Sequence, residues 1–392
     1  MDPHECSAAP CAKRAKPEPR IDAVARMLKW LTAAGATGLD TVHVHATPDG
    51  GIGVSSRAGV APHAAIASIP ATCVMSVGRS ASSAVGLACN ALPTPPSPEY
   101  VLWLDMALGR STVSHASHPY LAALPRDAPD LASWTDTDLE ALAGTDGDVA
   151  AKAMNESLAA EHGRVQSLLE PAHAAPLAAM RWARGCYLSR RFPPRLLDAA
   201  APTADAPGIL LPFFDLLNHG TGTEIEWRGD GTCVTFAAGA TGIVSHAEIL
   251  NNYGSKANDE LLVAHGFSLR DNEYDRVALK MTVATSAGKR TLGPFYLRRD
   301  GEFPRALWRA LADPLGEPAS SDSDSPPEID AESAEVLLAT LERKIAPFDA
   351  SKAADAVAAD GGGRSASVAF YRIGQREILQ DAVGALQMML GV

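Results

Sequence analysis

The sequence predicts an α+β chain in which a helical segment separates two strand-rich parts and a helical region follows. Three observations predict this class. Short β-type runs broken by glycine and proline lie between residues 42 and 76, similar runs return between 208 and 252, and helical apolar spacing fills most of the stretch between them. The chain therefore contains one strand-rich unit that a helical insertion interrupts.

The first strand-rich part starts with a predicted helix over residues 21–34. Its apolar residues Ile21, Val24 and Leu28 recur at helical spacing, and Gly35 follows as a stop signal. From Val42 to Ser76 we predict small strands joined by tight turns. The β-type runs are Val42–His45, Gly51–Val54 and Ala65–Pro70.

The middle of the chain changes to helical spacing after a proline-rich break at residues 93–98. We place helices near 100–108, 137–144, 149–169 and 181–189. β-like segments then return from Gly208 through Phe236 to Asn252. A further helix runs through Leu261 and Leu262, and Asn258 and Asp259 are its expected caps.

The C-terminal part contains the run Arg276–Val283 and helical patterns near 304–312, 329–346 and 364–390. Residues 313–330 are rich in Ser, Asp, Pro and Glu and cannot bury enough apolar surface to order themselves. We expect a flexible acidic loop there. Four serines in it could be phosphorylated, but a solvated loop without regulation is the preferred interpretation: Ser320, Ser321, Ser323 and Ser325.

The length and composition of the chain limit the classes of protein to which it can belong. With 392 residues, 46% of them apolar and 20% charged, the chain is long enough for two to three packed units. It contains no membrane-spanning run, and residues 1–20 lack the apolar core of a secretory signal, so we expect a disordered tail there. We predict a monomeric intracellular protein without membrane contact, in the cytoplasm by preference, with the nucleus and plastid left open.

The net charge and the spacing of the cysteines indicate which macromolecules and metal ions the chain is suited to bind. The formal net charge of −12 argues against a nucleic-acid groove and favours cationic partners such as lysine-rich protein segments. No two of the six cysteines form a C-x-x-C pair, so we expect no metal site.

Two motifs carry the functional prediction. Residues 210–219 read LLPFFDLLNH, and residues 252–262 read NYGSKANDELL, followed by HGF at 265–267. Weaker motifs accompany them in order along the chain: GIGV at 51–54, SHPYLAALP at 117–125, SRRF at 189–192 and YRIGQREIL at 371–379.

Together these motifs resemble those of the SET methyltransferases of the Rubisco large-subunit methyltransferase type, a family that includes the actin-histidine methyltransferase. The resemblance extends over about residues 21–390. It implies a split SET domain, with small β-sheets and a knot-like core, at 21–78 and 181–268. It also implies a helical insert at 79–180 and an all-α substrate-binding domain at 269–392.

The resemblance implies S-adenosylmethionine as cofactor. The positions that match the family's donor site are Gly51, Ile52, Gly53, Ser189, Arg190, Asn218, His219, Tyr253 and Phe267. Each has a plainer alternative: the glycines also suit a hairpin turn, the Asn-His pair suits a buried turn, and the arginine could lie on the surface.

The same resemblance makes Tyr253 the catalytic residue, with a hydroxyl directed at the transferring methyl and the amine. The positions that match the acceptor pocket are Phe192, Phe214, Asp215 and His265. Asp215 matches an acidic residue at the edge of the lysine pocket, although it could also only cap a turn.

The choice of acceptor depends on two aromatic residues. Phe192 matches an aromatic of the lysine-directed branch, where the histidine-directed enzyme has an asparagine. Phe214 favours the opposite choice, because a bulky aromatic there resembles the histidine-directed branch. We give preference to lysine.

His265 departs from the family pattern, since many relatives have a tyrosine before Gly-Phe. It could change the number of methyl groups added, introduce pH dependence near a pKa of about 6.5, or only pack. The sequence thus predicts a protein-lysine N-methyltransferase for a non-histone protein. A protein-histidine methyltransferase and an inactive docking protein are the alternatives.

Overall fold

The computed structural model describes residues 19–47, 51–201, 206–285, 288–312 and 331–391. Most of the predicted tail and the predicted acidic loop with its four serines lie outside the described residues. Arg20, which the sequence assigns to the tail, is instead the first residue of a helix.

The elements of the first strand-rich part lie where the sequence places them. Helix α1 (Arg20–Ala33) buries Val24, Met27 and Leu31 along one face. Three strands follow: β1 (Val42–Ala46), β2 (Ile52–Ser56) and β3 (Ala65–Pro70). β1 and β2 pair in antiparallel orientation.

Seven helices form the insert and the segment that follows it. They are α2 (Val77–Ala81), α3 (Ala84–Asn90), α4 (Pro98–Ser111), α5 (His118–Ala123), α6 (Asp136–Glu140), α7 (Asp146–Gln166) and α8 (Leu177–Arg190). α7 begins earlier than the predicted start at 149, because the Thr145 hydroxyl accepts a hydrogen bond of 3.4 Å from the Asp148 backbone N–H.

The strands after the insert complete the sheet that begins before it. β4 (Arg191–Phe192) pairs with β5 (Ile209–Leu210), and β6 (Ile225–Gly229) pairs with β7 (Cys233–Ala238). The largest sheet has the order β3-β7-β6, so one of its strands precedes the insert and two follow it. This confirms the predicted split arrangement.

Beyond β7 the predicted β-like segment forms only isolated bridges. One of them decides the site: His219 pairs in parallel with Asn251, and the Asn251 N–H donates to the Asn218 carbonyl at 2.8 Å. This contact holds the two sequence motifs side by side.

Helix α9 (Asn258–His265) follows the second motif. The prediction that Asn258 and Asp259 cap it is wrong, because Ala257 is the N-cap residue. The acceptor comes from a distant position instead: Asp275 Oδ1 accepts a hydrogen bond of 3.0 Å from the Asn258 N–H. A carboxylate at a helix start also suits the helix dipole.

The C-terminal part is less purely helical than the expected all-α domain. It begins with a hairpin of β8 (Arg276–Thr285) and β9 (Gly288–Arg298). Its helices are α10 (Arg305–Ala312), α11 (Ala331–Ala350), α12 (Lys352–Ala358) and α13 (Gly363–Leu390). β9 escaped prediction because only Leu292 and Leu297 of its side chains are buried, which leaves no alternating pattern.

Two hydrophobic cores organise the chain. The first joins α1, the small sheets and most of the insert. The second belongs to the C-terminal helices but also takes Leu262 of α9 and Leu131 and Trp134 of the insert. None of the described helices combines the length and apolar content needed to cross a membrane.

The close approach of α8 to the insert gives a stability prediction. A Cβ added at Gly185 would lie 2.0 Å from Asp130 Oδ1 and 2.7 Å from Ala128 Cβ. We therefore expect Gly185→Ala to lower the free energy of unfolding by about 1–3 kcal/mol, since overpacking shifts a buried carboxylate.

Urea denaturation measures this effect, and Gly163→Ala in α7 is the matched control. An added Cβ there meets nothing within 4 Å, so the control should be neutral or stabilising by up to about 1 kcal/mol. Equal stability of the two variants would contradict the packing described here.

Candidate active site

The two motifs line one cavity of about 710 Å³. It lies where the end of α8, strand β4, the segment before Asn218 and the loop into α9 converge. Seven of the predicted site residues line it: Ser189, Arg190, Phe192, Phe214, Asp215, Tyr253 and His265. Asn218, His219, Phe267 and the glycine segment are not among its lining residues, although contacts described below connect them to it.

Tyr253 is held by contacts with the first motif. Its backbone N–H donates to His219 Nδ1 at 3.3 Å, and its hydroxyl donates to the Leu217 carbonyl at 3.0 Å. The His219 ring stacks on the tyrosine ring with centroids 5.1 Å apart. Because the hydroxyl hydrogen is used by Leu217, the oxygen lone pairs remain available to a group in the cavity.

The phenol of Tyr253 is neutral at physiological pH. Burial raises its pKa, the Asp215 charge raises it too, and Arg190 only partly opposes them. Tyr253 therefore carries a neutral hydroxyl and not a phenolate.

Asp215 and Arg190 form an ion pair inside the protein. Asp215 Oδ2 lies 3.5 Å from Arg190 Nη1, and that nitrogen also donates to the Asp215 carbonyl. The Tyr120 hydroxyl of the insert donates to the same carboxylate at 2.8 Å. Burial raises the pKa of the Asp215 carboxyl, while Arg190 and Tyr120 act against that rise.

Arg20 adds a second guanidinium near this pair. Burial lowers its pKa to about 10, with Arg190 adding to the decrease and Asp215 opposing it. Its Nε donates to the Ala123 carbonyl at 3.0 Å, which ties α1 to the insert.

Two buried polar atoms of the pair have no hydrogen-bond partner among the residues that the structure describes. They are Asp215 Oδ1 and Arg190 Nε. Leaving buried polar atoms without a partner costs free energy. Asp215 Oδ1 therefore suits a ligand group that donates a hydrogen bond, and Arg190 Nε suits one that accepts it. An ammonium and a carboxylate, the two groups of an α-amino acid, have this chemistry.

Asn218 connects the first motif to β2. Its side-chain N–H group donates to the Ile52 carbonyl at 3.1 Å and to Glu248 Oε1 at 2.8 Å. These donations fix the amide orientation, because both of its acceptors are oxygens, and they leave the amide oxygen for another partner.

Gly53 lies opposite His45 in the β1–β2 pair, and an added Cβ would lie 2.6 Å from His45 Nε2. The space over this glycine is thus taken by a histidine ring in the described structure. Gly51 precedes β2 and is half-buried.

Aromatic rings form one wall of the cavity. Phe192 packs edge-on against Trp227 and Phe236, each with centroids 5.6 Å apart. Phe214 is fully buried and stacks on Phe236 at 3.8 Å. Phe214 is therefore fixed by the core as well as facing the cavity.

The ring of His265 stacks on the ring of Tyr253, with the two centroids 4.8 Å apart. Burial, together with the charges of Lys256 and Arg190, lowers its pKa to about 3. The expectation of pH dependence near 6.5 is therefore wrong. Phe267 completes the group, 6.0 Å from His265 and 6.5 Å from Tyr253.

Sequence reasoning missed several residues that the fold brings to the site: Arg20, Tyr120, Trp227, Glu248 and Lys256. Arg20 sits among basic tail residues and Tyr120 within an insert motif, so neither carries a local signal of chemistry. Both could have been suspected only from their spatial neighbours.

Comparison with solved structures identifies the fold. The SET domain of LSMT bound to lysine and AdoHcy matches with a TM-score of 0.76 and 17% identity, over 94% of this chain and 92% of that one. Rubisco LSMT bound to AdoMet matches with a TM-score of 0.76 and 18% identity, over 94% and 92%. This chain has the SET-domain fold of Rubisco LSMT.

Curated relatives match shorter stretches. Ribosomal lysine N-methyltransferase 1 of Saccharomyces cerevisiae is 36% identical over 118 residues, which are 30% of this chain and 20% of the relative. Protein-lysine N-methyltransferase EFM1 of the same yeast is 25% identical in an alignment of 323 positions that covers 70% of this chain and 54% of the relative.

Ribosomal lysine N-methyltransferase set10 of Schizosaccharomyces pombe is 30% identical over 31% of this chain and 22% of the relative. The matches thus span about a fifth of two relatives and about half of the third. No protein-family model matches the chain.

The low pKa of His265 can be measured by NMR. In protein labelled with ¹⁵N-histidine, the ring signals of His265 should keep neutral shifts from pH 8 down to pH 5, because protonation of the buried ring is unfavourable. Comparison with His265→Gln assigns the signals.

The internal reference is the same label in urea-unfolded protein, which should titrate near 6.5. A His265 midpoint above pH 5.5 in the folded protein would contradict its burial in the stack.

Proposed function

We propose that this protein is an S-adenosylmethionine-dependent protein N-methyltransferase that methylates a lysine side chain of an intracellular non-histone protein. One observation supports it most. The free lone pairs of the neutral Tyr253 hydroxyl share a cavity with the incompletely satisfied Arg190–Asp215 pair. A positioned hydroxyl and a receptor for an α-amino acid are what methyl transfer from such a donor requires.

The donor site would be assembled from three groups of residues. Arg190 and Asp215 offer a guanidinium and a carboxylate to the ends of the donor's amino acid, with Arg20 close by. Asn218 offers its amide oxygen, and His219 and Phe267 offer ring faces. When bound, S-adenosylmethionine would supply an electrophilic methyl on a sulfonium, whose sulfur leaves as a neutral thioether when the methyl is transferred.

The acceptor must reach this methyl as a neutral amine. A free lysine has a pKa near 10.4, so the site must favour the uncharged form. The aromatic wall offers little hydration to an ammonium, and the charge of nearby Lys256 repels it. These residues lower the cost of losing the proton without a strong base.

Tyr253 would contribute orientation and charge stabilisation. Its hydroxyl oxygen can accept a hydrogen bond from the amine and can face the partial positive charge of the moving methyl. The stack of His219, Tyr253 and His265 fixes the ring.

Lysine is favoured over histidine as the acceptor by the aromatic wall. Phe192 offers no hydrogen bond to an imidazole, and Trp227 and Phe236 hold it in place. Phe214 supplies a weaker reason for histidine than the sequence alone suggested, since its stack on Phe236 gives it a role in the core. The three curated relatives are also named as lysine methyltransferases.

Loss of the Tyr253 hydroxyl tests this function. Tyr253→Phe should lower turnover by about two orders of magnitude, the scale of losing one positioned polar contact at a transition state, while donor binding is kept. The assay transfers tritiated methyl from S-adenosylmethionine to proteins from cells that lack the enzyme, and hydrolysis then separates methyllysine from methylhistidine.

Tyr296→Phe is the matched control, because it removes the same atom from the β8–β9 hairpin, away from the cavity lining. Near wild-type turnover in Tyr253→Phe would sink the assigned role. If the label is found in methylhistidine, the acceptor is histidine and not lysine. If the protein binds the donor but transfers no label to any protein, the result favours a docking protein.

A further inference from the structure

Three cavities of the described structure join into one cleft. The active-site cavity and a neighbouring cavity of about 720 Å³ share the lining residues Leu188, Arg191, Lys256 and Ala264. The second cavity and a third of about 590 Å³ share Ala153, Glu260 and Val263. The three cavities therefore form a path of adjoining spaces with shared wall residues, starting at the cavity of Tyr253.

The walls of this path come from different parts of the chain. The insert helix α7 forms one side, the active-site helix α9 forms the other, and Ala278 and Lys280 of β8 close the far end. We call it the α7–α9 cleft. An active-site cavity that adjoins two further cavities suits an extended polypeptide, whose successive side chains can occupy them.

The near end of the cleft carries two cations. Lys256 is half-buried and Arg191 is exposed, and both line the active-site cavity and the second cavity. Within the described ranges neither forms an ion pair with a carboxylate. In a chain of net charge −12, two such cations together beside the active site offer a local attraction for a negative group.

The carboxylates at this end do not neutralise them. Glu161 pairs with Arg164 at 3.9 Å, and Glu260 pairs with Arg276 at 3.1 Å. Glu99 lines the active-site cavity but reaches neither cation within ion-pair distance. The balance near Lys256 and Arg191 is positive.

The far end of the cleft differs in character. It contains the pair of Lys344 with Asp146 at 2.8 Å, together with Asp259 and the exposed Lys280. Val149 of α7 also lines this end of the cleft and is 64% exposed. An exposed valine beside Val263 and Ala278 offers an apolar contact to a bound chain.

We propose that the α7–α9 cleft binds an extended segment of the methyl-accepting protein, with an aspartate or glutamate close to the acceptor lysine and an apolar side chain further along. The proposal rests on the proposed function. A carboxylate at that position offsets the repulsion between an incoming lysine and the two cations of the cleft. It therefore selects substrates by the residue that flanks the acceptor.

An oriented peptide library tests this pairing. The peptides carry one central lysine and randomised flanks, and mass spectrometry ranks them by methyl incorporation. With the wild-type enzyme we expect Asp or Glu to be enriched about threefold to tenfold at a position on one side of the lysine, as for a partly screened ion pair.

Charge reversal supplies the decisive comparison. Lys256→Glu should shift the preference at that position to Lys or Arg, and Lys256→Met should abolish it. Lys29→Glu is the control, since it changes the net charge equally from an exposed position on α1 and should leave the preference unchanged. Val149→Ser should weaken an apolar preference further along without changing the acidic one.

The possible outcomes separate this proposal from the proposed function. Methylated peptides without an acidic preference, or the same preference in Lys256→Glu, would overturn the cleft assignment alone. An acidic preference that is retained in Lys256→Met, with an equal loss for all peptides, would also overturn it and would leave Lys256 with its effect on the acceptor amine alone. Labelling of whole proteins but of no peptide would reject a linear segment, and labelling of neither would overturn both proposals.

Discussion

The buried carboxylate of Asp215 is the constraint on which the site depends. It accepts a hydrogen bond from Tyr120 of the insert and pairs with Arg190 at the end of α8. Arg20 of α1 lies close enough to act on the same charges. A buried charge is tolerated only when such partners surround it, and removing one of them from a buried pair typically costs about 3–5 kcal/mol. Three parts of the chain must therefore meet at this point.

That requirement gives the insert a role in the site. Tyr120 reaches Asp215 from α5, and the Arg20 side chain reaches back to the Ala123 carbonyl beside it. The insert thus both packs on α1 and supplies a hydrogen bond to the buried pair. Around Tyr253 the arrangement is different, because neutral rings and a neutral hydroxyl lie beside cations. In the proposed reaction, these neutral groups would position the amine, and the nearby lysine cation would disfavour its protonated form.

The sequence predicts those parts of the fold and site that are encoded locally. Helix α1 has clear periodicity, strands β1 to β3 are bounded by glycine and proline, and seven of the twenty cavity-lining residues sit within the two short motifs that one parallel bridge holds together. The motifs reveal their chemistry because each contains several site residues in sequence.

What the sequence could not predict depends on distant partners. The Asn258 N–H at the start of α9 donates to Asp275, which lies beyond the end of that helix and carries no local signal of a cap. The pKa of His265 follows from burial against Tyr253, which no pattern of residue types indicates. β9 has two buried side chains and no alternation, and its pairing with β8 alone defines it.

The most direct test of the central claim is calorimetric titration of the protein with S-adenosylmethionine, with Asn218→Ala alongside. Asn218 is exposed and holds Ile52 and Glu248 through its side chain, so the variant should stay folded while its part of the site is lost. The account predicts micromolar binding to the wild-type protein and none that can be measured to the variant. Equal binding of S-adenosylmethionine to the wild-type protein and the variant would contradict the assigned donor site. Binding to neither protein would contradict a donor site that exists before the protein substrate binds.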